Sequence, residues 1–144
     1  MLGGSDTQIV ALDLEDEREA AYAAYVEGVL ERVVVVNLRE YNYTVNGTSG
    51  VVNPEPRGSQ NYTFSVPDGY SGSVGVQRLW ANGSDAISGI SWDGWSYNYE
   101  LDEGRPVRLG NVTVGEVVDV ENGGFTVAVE DSTAVVLNFS EGEG

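Results

Sequence analysis

The residue type in this chain whose spacing most plainly suggests chemistry is asparagine followed, two positions on, by a hydroxyl. Asn42, Asn46, Asn61, Asn82, Asn111 and Asn138 all open an Asn-x-Ser/Thr triplet, which accounts for six of the ten asparagines. Such a triplet is the acceptor for an N-linked sugar, and so points to a surface exposed outside a cell. Asn46 and Asn82 also precede glycine, and Asn-Gly is a tight-turn signal in its own right. The other four still exceed what turn chemistry requires.

A second group is aromatic. Trp92, Trp95, Tyr97 and Tyr99 fall on alternate positions about Asp93-Gly94, with Trp80 close by in sequence. A two-residue turn at Asp93-Gly94 would put these rings on one face and Ser91, Ser96, Gly89 and Asn98 on the other. Three uses stay open for such a ladder: packing in a core, a subunit interface, or stacking of sugar rings. A third group is acidic. Asp85, Asp93, Asp102, Glu103, Asp119, Glu121 and Asp131 lie near turns and could offer hard oxygens to Ca²⁺. No stretch carries the spaced acid loop of a dedicated calcium site, so the expectation is no cofactor beyond Ca²⁺ or diffuse Na⁺ and K⁺.

The absences are as informative. There is no cysteine, no histidine and no lysine; all seven cations are arginine. That removes thiolate nucleophiles, the commonest general base and the commonest metal ligand. A pair of acids could still hydrolyse a glycosidic bond, but one of them must be desolvated with a raised pKa. Here the acids cluster in turns, at a helix start and in the tail, so the expectation is a chain that is not an enzyme.

Twenty-three acids against seven arginines give a net charge of −16. This excludes nucleic acid as a partner, since phosphates carry the same sign. Self-repulsion of that size strains a compact fold unless salt screens it. The composition therefore resembles that of proteins from halophilic archaea and their viruses; arginine favoured by codon bias is the competing account, and it leaves the acid excess unexplained. No apolar run approaches the length of a membrane span. Residues 1–6 have neither the basic start nor the apolar stretch of an export signal.

These groups need elements to position them. Residues 1–12 read as an arm, with a short strand over 7–12. Asp13, as N-cap, followed by Glu15, Asp16 and Glu17 suits the start of a helix over 14–32, whose buried stripe would be Tyr22, Val26, Val29 and Val33. From residue 33 the period changes to two. Strands are expected over 33–45, 62–66, 70–80, 87–101 (as a hairpin), 107–114, 117–120, 125–129 and 134–139. Turns at Asn46-Gly47, Pro67-Asp68-Gly69, Asn82-Gly83, Asp93-Gly94 and Asn122-Gly123 separate them. The last of these turns would set Val120 opposite Phe125 and Val118 opposite Val127. The fold class expected is mainly β: a β-sandwich or barrel of about seven to nine short antiparallel strands behind one N-terminal helix, as a single domain over 13–140 with an acidic tail over 141–144.

Together these readings suggest a non-enzymatic structural subunit: a capsid-decorating, turret or tail component of a halophilic archaeal virus. It would sit on the virion or an extracellular surface, packed against subunits of the same assembly as a homo-oligomer. A host surface glycan or protein could be a further partner. The alternative is an exported cell-surface or pilus module, or a carbohydrate-binding β-sandwich.

Overall fold

A computed structural model describes residues 7–45, 50–66, 72–86, 89–109 and 115–139. Its eleven strands and one short helix run β1 Thr7–Leu12, β2 Glu19–Val26, β3 Val29–Asn37, β4 Ser59–Ser65, β5 Ser73–Trp80, β6 Ser91–Trp92, β7 Trp95–Ser96, α1 Tyr99–Asp102, β8 Val107–Arg108, β9 Glu116–Asp119, β10 Gly124–Glu130 and β11 Thr133–Phe139. One large antiparallel sheet has the order β1-β2-β3-β11-β5-β6-β7-β8, with β9 also paired to β5; β10 and β4 form a separate two-stranded sheet. The large sheet is not closed into a barrel.

The expected helix over 14–32 is not there. Its residues form β2 and most of β3, joined at Glu27-Gly28, where both residues have positive φ (52° and 80°). Two successive positive φ values are the requirement of a tight hairpin turn, and glycine meets it without strain. Tyr22, Val26, Val29 and Val33 do recur at helical spacing, yet the same stretch also alternates. Ala21 and Ala23 are buried while Tyr22 between them is exposed. Alanine favours helix locally by tenths of a kcal/mol, about the scale of intrinsic propensity, and non-local pairing outweighs it. β3 lies between β2 and β11, in register from Val33↔Leu137 to Asn37↔Thr133. The acids expected to start the helix lie in the β1–β2 connection instead. There the Asp16 carboxylate accepts hydrogen bonds from the Arg18 backbone N–H (2.8 Å) and from the guanidinium groups of Arg18 and Arg39.

Nor is β1 a free arm. It pairs with β2 along its whole length, from Thr7↔Val26 to Leu12↔Ala21, as an edge of the large sheet. The strand expected over 33–45 ends at Asn37. Beyond it, the chain touches itself again at the isolated bridge Thr44↔Val52, close to where the Asn46-Gly47 signal placed a hairpin. That turn and Pro67-Asp68-Gly69 lie outside the described residues. The Asn122-Gly123 turn is present, but its flanks part: β9 pairs with β5 and β10 with β4, so the Val118–Val127 pairing does not form. The chain crosses there from one sheet to the other.

The facing sides of the two sheets make one core. Ala21, Ala23, Val33, Val35, Val74, Val76, Val135, Leu137 and Phe139 come from the large sheet; Tyr62, Phe125, Val127 and Val129 come from the small one. Phe125 stacks on Phe64 and meets Phe139 edge-on. At the β10–β11 corner the buried Asn37 side chain donates to the Val129 carbonyl (3.1 Å) and to Asp131 (3.0 Å), leaving no donor of its amide unpaired. A buried amide satisfied in this way fixes the corner rather than weakening it.

Candidate functional site

With the inner faces buried together, the outer faces are what the domain presents, and they differ sharply. Residues opposite one another across a sheet share a face. One row of the large sheet's outer face therefore runs Ala20, Val36, Ala134, Leu79, Trp92, Trp95 and Arg108, crossing seven strands. A second row runs Ala11, Tyr22, Val34, Val136 and Gln77. Apart from Arg108 and Gln77, both rows are apolar. Tyr22, Leu79 and Trp95 keep 45%, 42% and 41% of their surface exposed. At one end of the first row, Val36, Leu38, Leu79 and Ala134, with Ser84 and Ser132, line a groove of about 370 Å³.

The outer face of the small sheet is the opposite in character. Ser59, Asn61, Thr63 and Ser65 on β4 face Glu130, Ala128, Thr126 and Gly124 on β10. These side chains are small and mostly polar, and the Thr63 and Thr126 hydroxyls bond to each other at 2.8 Å. Such a surface is at ease in water. A large apolar face is not, and on a folded domain it marks a surface that something else covers.

The aromatic residues fall in with this division. The Asp93-Gly94 turn forms and pairs Trp92 with Trp95 as expected, but the hairpin is only two residues deep on each side. Beyond it the chain turns into α1, so Ile90 and Tyr97 do not pair. Ser91 and Ser96 are the buried members of the hairpin, while Tyr97 and Tyr99 are 60% and 74% exposed. Core packing is therefore not what these rings do. Arg108 lies over the Trp95 ring at 5.0 Å and Arg57 over the Trp80 ring at 4.5 Å, so neither tryptophan offers two open faces to a sugar.

The other residues singled out in the sequence are dispersed. Asn61 and Asn82 are exposed, Asn42 is half-buried, and its carboxamide oxygen accepts from the Ser84 hydroxyl at 2.7 Å. Asn138 lies on the large sheet's outer face, accepting from Arg32 (3.2 Å) and donating to Gln77 (3.0 Å). Asn46 and Asn111 are outside the described residues. The acids considered for Ca²⁺ do not converge: among the described residues no three ligating side chains come together. Asp85 serves the fold, accepting from the Tyr43 and Thr44 backbone N–H groups and from the Thr44 hydroxyl at 2.6 Å. Gly83 permits that approach, because a Cβ there would come within 2.6 Å of the Tyr43 nitrogen.

Electrostatically, the perturbed carboxylates are all held in the charged form. Hydrogen bonds from Thr44 and Tyr43 hold Asp85 below the usual range, those from Arg18 do so for Asp16, and the bidentate Arg78 pair does so for Glu116. Tyr62 moves the other way: burial, then its 2.8 Å bond to Glu19, pushes its hydroxyl up to about 12. None of these is the raised carboxylic acid that protonates a glycosidic oxygen. The groups stabilise corners, and the chemistry open to the large sheet's outer face is association.

Comparison with known proteins decides what kind of association. Residues 21–136 match the glycosyl hydrolase family 79 C-terminal beta domain. The chain belongs to that family. A β-glucuronidase of Aspergillus niger is 53% identical over 140 residues, covering 94% of this chain and 26% of that protein. A β-glucuronidase of Neurospora crassa is 44% identical over 141 residues, covering 83% of this chain and 25% of that protein. A crystal structure of a 4-O-α-L-rhamnosyl-β-D-glucuronidase from Fusarium oxysporum superposes with a TM-score of 0.68 at 25% identity, over 91% of this chain and 26% of that one. The chain spans about a quarter of the length of the curated relatives it matches.

The family 79 match overturns several expectations. A virion subunit of a halophilic archaeal virus, a place on a virus particle or cell surface, and the reading of a chain apart from enzymes all give way to a domain of glycosyl hydrolases with fungal relatives. The exported pilus or carbohydrate-binding module falls with them. Acid excess misled because it reports how well a surface is solvated, and several of the acids are here committed to arginines or backbone N–H groups. What the residue pattern missed was the outer face. The signal was present in the unbroken run Val33–Val36: a strand apolar on both sides is one covered on both sides.

Proposed function

We propose that this chain is the β-sandwich domain of a β-glucuronidase, and that its role is to pack the outer face of its large sheet against the remaining three quarters of that enzyme. The observation that carries the reading is the contrast between the two outer faces. Tyr22, Val34, Val136, Leu79 and Trp92 make one of them apolar, while the Ser59–Ser65 strand makes the other polar. The share of the relatives left unmatched supplies an occupant of the right size. In this reading the acid pair that cleaves the glucuronide lies outside the chain, in keeping with its lowered carboxylates. Trp92, Trp95, Tyr97 and Tyr99 serve the interface, continuing the first apolar row towards β8.

A chimaera tests the proposal: the Aspergillus niger enzyme with its matching quarter replaced by this chain. Hydrolysis of a chromogenic β-glucuronide by the soluble chimaera is expected to stay within about three-fold of the parent, an allowance of less than 1 kcal/mol for a repacked contact. A soluble chimaera without activity, or a parent equally active with that quarter deleted, would contradict it.

A further inference from the structure

We propose that Asn61 is a site of N-linked glycosylation, and that its glycan covers the polar face of the small sheet. The idea rests in one respect on the docking reading above, which leaves this face as the solvent side. Asn61 opens the triplet Asn61-Tyr62-Thr63 on β4. β4 pairs with β10 alone, so among the described residues its other edge is open. Open edges invite pairing with other chains, and a bulky hydrophilic group beside one blocks that approach.

The surroundings have room for the sugar. Asn61 is exposed and lies directly across from Ala128, the smallest side chain on β10's outer face apart from Gly124. Its neighbours Ser59 and Thr63 are short, and the Thr63 hydroxyl is turned to Thr126. Tyr62, the middle residue of the triplet, points the other way into the core and anchors the strand through Glu19. The attachment therefore hangs from a fixed strand, with no buried group displaced.

The other described triplets lack one or more of these features. Asn42 is half-buried with its carboxamide engaged by Ser84. Asn82 precedes Gly83 and Ser84, at the mouth of the apolar groove. Asn138 is held between Arg32 and Gln77 on the docking face. The covalent step is a group transfer with no change of oxidation state. The Asn61 carboxamide nitrogen attacks C1 of the first N-acetylhexosamine of a lipid-pyrophosphate oligosaccharide. The C1–O bond to pyrophosphate breaks, an N–C1 bond forms, the nitrogen gives up one proton, and the lipid pyrophosphate leaves.

The test is peptide mapping of the full-length protein made in a yeast secretory host. Endoglycosidase-released peptides are read by mass spectrometry in heavy-oxygen water, so that each formerly occupied asparagine gains a labelled oxygen. The Asn61 peptide is expected to carry the label in most molecules. Intact mass should fall by one glycan in both Asn61→Gln and Thr63→Ala, and should return in Thr63→Ser, which keeps the triplet. An unlabelled Asn61 peptide in the wild-type protein overturns the proposal, as does a Thr63→Ala protein of unchanged glycan mass. Asn138 distinguishes the two readings: a glycan found there contradicts docking through the large sheet, while label at Asn61 would still support the present proposal.

Discussion

Val136→Asp, placed in the chimaeric enzyme, is expected to lower soluble glucuronidase activity at least ten-fold. Val136 lies on β11, in the middle of the large sheet, with Val34 opposite on one side and Gln77 on the other. Its side chain faces outward and is half-buried by its neighbours alone. In the isolated domain a carboxylate there keeps contact with water, and the loss should be near 1 kcal/mol, the ordinary cost of a poor strand former. In the assembled enzyme the same carboxylate would be sealed against an apolar partner without a counter-charge. Leaving one charge buried and unpaired costs about 3 kcal/mol or more, roughly a hundred-fold in the docking equilibrium. The control is Thr126→Asp on the small sheet's outer face, where activity should stay within about two-fold, as for a change at an exposed site. Equal losses from the two changes would show that the faces are equivalent, contrary to the account.

The second large effect concerns stability. Leu137→Ala is expected to destabilise the domain by about 3 kcal/mol, within the range for a buried leucine whose site collapses only in part. Leu137 is wholly buried, and its strand is flanked by β3 through Val33 and by β5 through Val76. Strands paired on both sides cannot shift to fill a void without breaking ladders on each edge, so the cavity should persist. For a chain of this size the midpoint of thermal unfolding should fall by about 10 °C. Calorimetry on the wild-type and substituted proteins measures this directly; a shift under about 2 °C, less than 1 kcal/mol, would mean that the core is not centred there.

Much of the β architecture was legible in the residues. Alternation of Tyr62, Phe64 and Val66 marked β4. Asp93-Gly94 and Asn122-Gly123 marked real turns, with positive φ at all four residues. The error over 14–32 has a definite origin. An alanine-rich stretch at helical spacing satisfies a local rule, whereas β2 and β3 exist because distant β11 pairs with β3. No local pattern carries that pairing. The same holds at Asn122-Gly123: the turn is local, but the parting of its strands onto two sheets is set by β5 on one side and β4 on the other. The candidate site was less legible still. Tyr22, Leu79, Ala134 and Val136 come from four different strands, and only the sheet order puts them on one surface. The aromatic pair Trp92 and Trp95 was visible and correctly placed on one face. Its function was not, because an exposed ring and a covered ring have the same sequence.

The most direct measurement of the central idea is hydroxyl-radical labelling of the whole enzyme, read residue by residue. If the large sheet is seated against the rest of the protein, Tyr22, Leu79 and Trp95 should be labelled several-fold more slowly than their 41–45% exposure in the domain implies. Over the same pulse Thr63, Thr126 and Asn122 should be labelled at the rate of free surface. Labelling of Tyr22, Leu79 and Trp95 at full surface rate would contradict the account, since the apolar face would then stand open to water in the working enzyme.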